Sequence, residues 1–178
     1  MGDANQLSPT VLSRQRRTEL SVSPMERLLR SEETPSVMLT VQHRSSPQIV
    51  AFPSKMFYHG KIDSAPNMDG PIADTCSLIR NDLTTNHLVL VPTIDMPECI
   101  PVNTKSYAND GECRLVTGLV RDLIASGVAA PTIGVLTPYS AQVSLLTKTL
   151  DEFFQGISVG TIHCFQGIIL TNLSNNKF

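Results

Sequence analysis

Val37, Leu39 and Val41 alternate with small or polar neighbours, the two-residue period of a buried strand. A polar cluster from Gln42 to Ser46 follows, and Ser46-Pro47 reads as the cap and first residue of a helix. That helix is expected to carry Ile49, Val50 and Phe52, to break at Pro53, and to be followed by a turn at Gly60. Upstream, Ser23 with Glu26 three residues on marks another helix start, with Met25, Leu28 and Leu29 as its apolar face. Residues 87–91 read as a short apolar strand stopped by Pro92. Leu115, Val116, Leu119, Val120, Leu123 and Ile124 recur at helical spacing, with Asn109 or Asp110 as cap and Gly127 as stop. Residues 132–137 predict a buried strand, and Val143, Leu145, Leu146, Leu150 and Phe153-Phe154 the apolar side of the next helix. Residues 157–162 predict the last clear strand, while 63–86 and 92–110 read as loops. Strands alternating with helices predict an α/β fold, an open and mostly parallel sheet flanked by helices.

Composition narrows the function classes. The chain has 178 residues, 41% hydrophobic and 17% charged, enough for a domain with a real core. A net charge of -2 gives no global basic field, so any nucleic-acid contact rests on a local groove. Arg14, Arg16 and Arg17 suit either a phosphate backbone or a solvated helix face. Cys76, Cys99, Cys113 and Cys164 form no Cys-x-x-Cys pair and are expected to be reduced thiols, with no zinc site or disulfide framework. No apolar run approaches the roughly 20 residues that span a bilayer, and the start has no signal-peptide pattern. The expectation is an intracellular protein, of the cytoplasm or nucleus, with no membrane partner.

Candidate chemistry gathers after the predicted strands, where open α/β sheets bind ligands. Arg44 keeps its charge and offers five donors in a planar fork, which suits a phosphate; an ordinary pairing with a carboxylate is the alternative. Thr137 and Thr161 carry hydroxyls, and Tyr139 a phenol, that can hold a phosphate without charge. Tyr139 reads equally well as a half-buried packing residue, and His163 as an ordinary histidine. No Gly-x-x-x-x-Gly-Lys-Ser/Thr occurs in the sequence.

Gln42-His43-Arg44-Ser45-Ser46-Pro47, followed by Phe52-Pro53-Ser54-Lys55 and Phe57-Tyr58, resembles the Gln-Tyr-Arg-x-His-Pro motif of superfamily-one helicases of the RNA-surveillance type. Three more stretches resemble that family in the same order: residues 2–10, beginning Gly2-Asp3-Ala4-Asn5-Gln6-Leu7, residues 133–139 with Thr137-Pro138-Tyr139, and residues 159–167 with Thr161, His163 and Phe165-Gln166-Gly167. The resemblance implies a second RecA-like domain, of the P-loop NTPase class but without the P-loop. It assigns residues 1–34 to the tail of a first helicase domain and a linker helix, and 35–178 to the second domain, incomplete at its C-terminus. It implies that Arg44 reaches the ATP phosphates as the catalytic residue, that Gln6 senses the γ-phosphate and that His43 lies near the adenine. Thr137, Tyr139, Thr161, His163 and Gln166 would contact a single strand of RNA or DNA. ATP and Mg²⁺ are the cofactors of the complete enzyme, and neither is expected to be held by this chain alone.

The pattern departs from the family in places. His43 replaces a Tyr, and Ser45 and Ser46 replace a pair such as Met-His. Ile168-Ile169 stand where a basic residue and a nucleotide-binding Glu belong. The ending reads either as the family's strand with about five residues deleted, which puts Ser174 at the arginine-finger position, or as unrelated sequence, and in both the finger is missing. Such a finger is commonly worth about 10³ to 10⁵ in rate. Two functions therefore stay open at this point: a helicase lobe completed by a first RecA-like domain, or a non-catalytic module that binds nucleic acid or a helicase.

Overall fold

The computed structural model describes residues 2–11, 20–31, 34–66, 68 and 88–166. The Arg14, Arg16 and Arg17 group, Cys76, His87, Gly167, the Ile168-Ile169 departure, Ser174 and most of the expected 63–86 loop lie outside the described residues. The chain forms two compact units, residues 1–70 and 71–178. This division is one of compactness within the chain, whereas the expected 34/35 boundary concerns the lobes of a larger motor.

The first unit contains α1 (Pro24–Leu29), β1 (Val41–Gln42), α2 (Pro47–Phe57) and β2 (Asp63–Ser64). Ser23 caps α1, its Oγ accepting the Glu26 N–H at 3.0 Å. The expected apolar face packs only in part: Met25 is half-buried with its sulfur against Gly2, whereas Leu28 and Leu29 are exposed. β1 and β2 pair in parallel, Val41 with Asp63 and Gln42 with Ser64. The buried strand expected around Val37, Leu39 and Val41 is corrected to this two-residue strand. Val37 is 93% exposed, and Leu39 and Val41 are exposed as well. Alternation signals which side chains share a face, not whether anything covers that face. Asp63 and Ser64, in turn, were expected to be loop.

α2 runs through Pro53 rather than breaking there. Pro53 has no N–H to give the preceding turn. Ser54 secures the turn after the helix. Its buried Oγ accepts the Ile62 N–H at 3.1 Å and donates to the Ile62 carbonyl at 2.9 Å, and its own carbonyl accepts from the Tyr58 and Gly60 N–H groups. His59 and Gly60 then take positive φ to turn the chain into β2. Ser54→Ala would leave both Ile62 backbone groups unpaired. A loss of about 1–3 kcal/mol is expected in urea unfolding followed by the first unit's own amide signals; a change below a few tenths would show that Ser54 does not hold this turn.

The second unit contains α3 (Asp110–Ala125), a 3₁₀ turn (Ala130–Thr132), β3 (Gly134–Leu136), α4 (Ser140–Asp151), β4 (Ser158–Gly160) and the short α5 (Ile162–Phe165). Residues 88–91 are not a strand: Leu88, Val89, Leu90 and Val91 are exposed and carry no strand pairing. A Cys99–Ala108 antiparallel bridge instead ties the loop before α3 together. Asn109 caps α3 by accepting the Glu112 N–H. Gly127, at φ 96°, ends it; its N–H reaches the Ile124 carbonyl and that of Val128 the Leu123 carbonyl. β3 and β4 pair in parallel, Leu136 opposite Gly160, and are shorter than the predicted 132–137 and 157–162. Residues 130–132 wind into the 3₁₀ turn, and Ile162 opens α5. Cys113, Val120, Ile133, Leu146 and Leu150 form the buried centre, where α3 meets α4 and the strands. The described strand pairings are thus both parallel and flanked by helices, the α/β arrangement of a RecA-like domain.

Candidate functional site

In the first unit the site is the turn between β1 and α2. Gln42 builds it with one side chain. Its Oε1 accepts the Arg44 and Ser45 N–H groups, each at 2.8 Å. Its Nε2 donates to the Ser45 carbonyl and to Ser64 Oγ, each at 2.6 Å. The turn so fixed leaves His43 and Arg44 exposed just before the amino end of α2. The aligned peptide dipoles of α2 put about half a positive charge at that end, three residues after Arg44 in the chain. Ser46, the cap residue, makes no cap bond, and its buried Oγ has no partner among the described residues. An exposed guanidinium just before a helix start suits a phosphate group, while the Ser46 hydroxyl is buried beneath the surface. No cluster of three or more His, Cys, Asp or Glu that suits a metal exists among the described residues.

Gln6 sits elsewhere. Its Nε2 donates to Asp3 Oδ2 at 2.9 Å, and Tyr58 Oη donates to the same oxygen at 2.6 Å. Asn5 Nδ2 donates to the Phe57 carbonyl at 2.9 Å. These bonds fasten residues 3–6 to the carboxyl end of α2. Arg44 precedes the other end of that helix, whose 11 residues rise about 16 Å. The described contacts therefore join Gln6 to Asp3 and Tyr58, and do not join it to Arg44. Partial burial pushes the Asp3 carboxyl up, but the hydrogen bonds from Tyr58, the Asn5 N–H and Gln6 outweigh it and hold it below its usual range. The bond to Asp3, with desolvation and the carboxylate charge, pushes Tyr58 up to about 12.

Both shifts favour a neutral phenol on an ionised carboxylate. Asp3's contribution is present above its unfolded pKa and lost as pH falls through the lower folded value. Tyr58's is present below about 10 and lost as pH rises through about 12. The tie's full contribution to stability is therefore expected from about pH 4 to about pH 10, fading below and above that window. Tyr58→Phe removes one of the bonds that hold the Asp3 carboxyl down, so the carboxyl's titration, followed by NMR, should move up toward the ordinary carboxylate range; an unmoved titration would exclude the tie.

In the second unit the parallel register brings two predicted clusters to one edge. Thr137 N–H donates to the Gly160 carbonyl at 3.1 Å, so the Thr137-Pro138-Tyr139 turn and Thr161 leave the carboxyl ends of neighbouring strands. Tyr139 is exposed and meets Tyr107 edge to face, with ring centres 5.4 Å apart. His163 and Gln166 are exposed on and after α5. Thr161 is half-buried, and its hydroxyl donates to Cys164 Sγ at 3.4 Å. Thr137 is only 8% exposed, and its hydroxyl accepts the Tyr139 N–H at 3.3 Å, so it shapes the turn from within. Gly160 is required here: a Cβ would lie 2.9 Å from the Phe165 ring, closer than such contacts allow.

Several supporting residues escaped the sequence reading. Gln142 is only 4% exposed; it accepts the Asn109 N–H at 2.7 Å and donates to the Asn109 carbonyl at 3.2 Å. Ser106 Oγ accepts the Ala141 N–H at 3.1 Å. Together they fasten the 106–109 segment to the start of α4, directly after the Tyr139 turn. One signal was available: Gln142 falls four and eight residues before Leu146 and Leu150, a polar residue on the core face.

An AAA domain family model matches residues 20–169, and it takes in both strand-end sites. The chain belongs to this superfamily-one helicase-like AAA family. Among relatives of this AAA domain is the DNA-binding protein SMUBP-2 of Mus musculus, 34% identical over 186 residues, covering 99% of this chain and 19% of that protein. An ATP-dependent helicase of Methanocaldococcus jannaschii is 33% identical over 172 residues, covering 93% of this chain and 25% of that protein. A regulator of nonsense transcripts 1 homolog of Arabidopsis thaliana is 28% identical over 197 residues, covering 99% of this chain and 15% of that protein. The chain spans about a fifth of the length of the curated relatives it matches first. Among its described residues, no helix is long and apolar enough to cross a membrane.

Proposed function

We propose that residues 35–178 act as the second RecA-like lobe of an ATP-driven helicase, with residues 1–34 leading in from a first lobe that carries the Walker motifs. The observation that carries this reading is the exposed Arg44 beside the start of α2, its backbone held in place by Gln42. ATP supplies the phosphoanhydride whose cleavage drives the motor. Arg44 contributes a fixed positive charge to its phosphates, and His43 offers an imidazole face nearby for the base. Gln6, tied with Asp3 and Asn5 to the carboxyl end of α2, lies about a helix length from Arg44 and meets the same nucleotide only when the whole 3–6 segment leaves that tie. With no phosphate-cradling loop in its 178 residues, the chain by itself is expected to turn over no ATP.

Tyr139, Thr161, His163 and Gln166 form the face for a single strand of RNA or DNA, and Thr137 supports it by shaping the turn. The partners are thus a single strand and a first RecA-like lobe, and the compartment is cytoplasm or nucleus. Weak binding of a fluorescent uridine or thymidine oligomer, falling as salt rises, is expected in anisotropy titrations. Tyr139→Ala with Thr161→Ala should weaken it about tenfold or more, given about 1–3 kcal/mol for a stacked base alone. Undiminished binding in that double variant would remove the face from the account.

A further inference from the structure

A groove in the second unit is separate in composition from the strand-end residues just assigned. Two hollows follow the side of α3. One, of about 390 Å³, lies between Arg114, Gly118, Arg121 and the Phe153-Phe154 pair that follows α4. The other, of about 650 Å³, lies between Asp95, Glu98, Asp110 and Arg114. Arg114 lines both and stands between them. Asp110, Arg114, Gly118 and Arg121 are spaced by four, four and three residues, which puts them on one helix face. From Asp110 to Arg121 that face is about 16 Å long.

The chemistry of the groove is polarised. At one end Asp95, Glu98 and Asp110 give negative charge. At the other, Arg114 has no ion pair or hydrogen bond among the described residues. Arg121 has only an exposed contact with its neighbour Asp122 at 3.3 Å, which water screens heavily. Between the arginines the floor is Gly118 with Thr117 and Thr149, whose hydroxyls are bonded inward to Cys113. A Cβ on Gly118 would meet nothing within 4 Å, and the Phe153 ring is largely exposed.

We propose that this groove docks a short peptide segment of a partner protein. An acidic side chain of the segment sits between Arg114 and Arg121, and an adjacent apolar side chain lies over Gly118 against Phe153 and Phe154. A basic side chain several residues away faces Asp95, Glu98 and Asp110. Charge complementarity selects this occupant over a nucleic-acid strand. A polyphosphate would carry its charge on into Asp95, Glu98 and Asp110 at the acidic end of the groove, where a peptide can present a basic side chain. The helicase reading is not needed for this inference.

The test is an NMR titration of the ¹⁵N-labelled full chain with the probe peptide acetyl-Arg-Ala-Ser-Ala-Glu-Leu-Asp-amide. Saturable shifts are expected at the amides of Arg114, Gly118, Arg121 and Phe154. Arg114→Glu with Arg121→Glu should weaken binding about tenfold or more. Gly118→Leu, which fills the floor without altering charge, should do the same, with circular dichroism of both variants unchanged and the melting of Gly118→Leu equal to or above the parent's, since glycine is a poor helix former. The inference is overturned if millimolar peptide leaves those amides unmoved, if folded variants bind as the parent does, or if a uridine oligomer shifts the same amides and displaces the peptide.

Discussion

Leu150→Ala is expected to lower the stability of the second unit by about 2–5 kcal/mol. Leu150 is 1% exposed and Leu146 2%, the two largest side chains sealed in the described chain. They project from α4 into the space bounded by Cys113 and Val120 of α3 and by Ile133 before β3. Truncation there removes transfer energy and leaves a cavity walled by two helices and a strand pair, none of which can close it alone. Phe153→Ala removes a larger side chain that is mostly in water, so it should cost far less. The contrast is readable in urea unfolding followed by far-ultraviolet circular dichroism. Equal costs for the two substitutions would mean that the α3–α4 packing is not the centre of this unit.

Arg44→Ala is expected to leave folding almost untouched and to abolish most nucleotide chemistry in a complete enzyme. The guanidinium is exposed and makes no hydrogen bond or ion pair among the described residues, so its removal opens no cavity and orphans no partner. Its charge matters only when a phosphate faces it. Loss of one preorganised donor to developing charge commonly costs about 10²- to 10³-fold in rate. Gln42→Ala is instructive beside it. That change keeps the guanidinium but frees the Arg44 and Ser45 N–H groups and the Ser64 hydroxyl. It should lower both stability and rate, whereas Arg44→Ala separates the two.

The helices around the core were legible because each is long, periodic and marked at its start or end. α3 carries Asn109 at its cap and Gly127 at its stop, with its apolar side chains at helical spacing. The position of Arg44 was legible for a related reason, since Ser46-Pro47 fixes where α2 begins. Strands were harder. Val37, Leu39 and Val41 alternate as a buried strand would, but cover is a tertiary property that no local pattern contains. β2 hid in a polar stretch because Asp63 and Ser64 become a strand only by pairing with Val41 and Gln42, some 22 residues earlier. The same distance conceals the polar supports. Asp3 meets Tyr58 across 55 residues, and Asn109 meets Gln142 across 33. No spacing rule reaches that far, and each pair was found only once the fold had brought it together.

The central claim is that Arg44 faces the phosphates of ATP held by a partner lobe. The most direct measurement is single-turnover ATP hydrolysis by a polypeptide joining this chain to a lobe that carries Gly-x-x-x-x-Gly-Lys-Thr and Asp-Glu. The parent and Arg44→Ala forms are compared at saturating ATP and single-stranded RNA. The account predicts a fall of about 10²-fold or more in the chemical step, with nucleotide affinity of the first lobe and melting of the chain preserved. Equal rates in the two forms would contradict it.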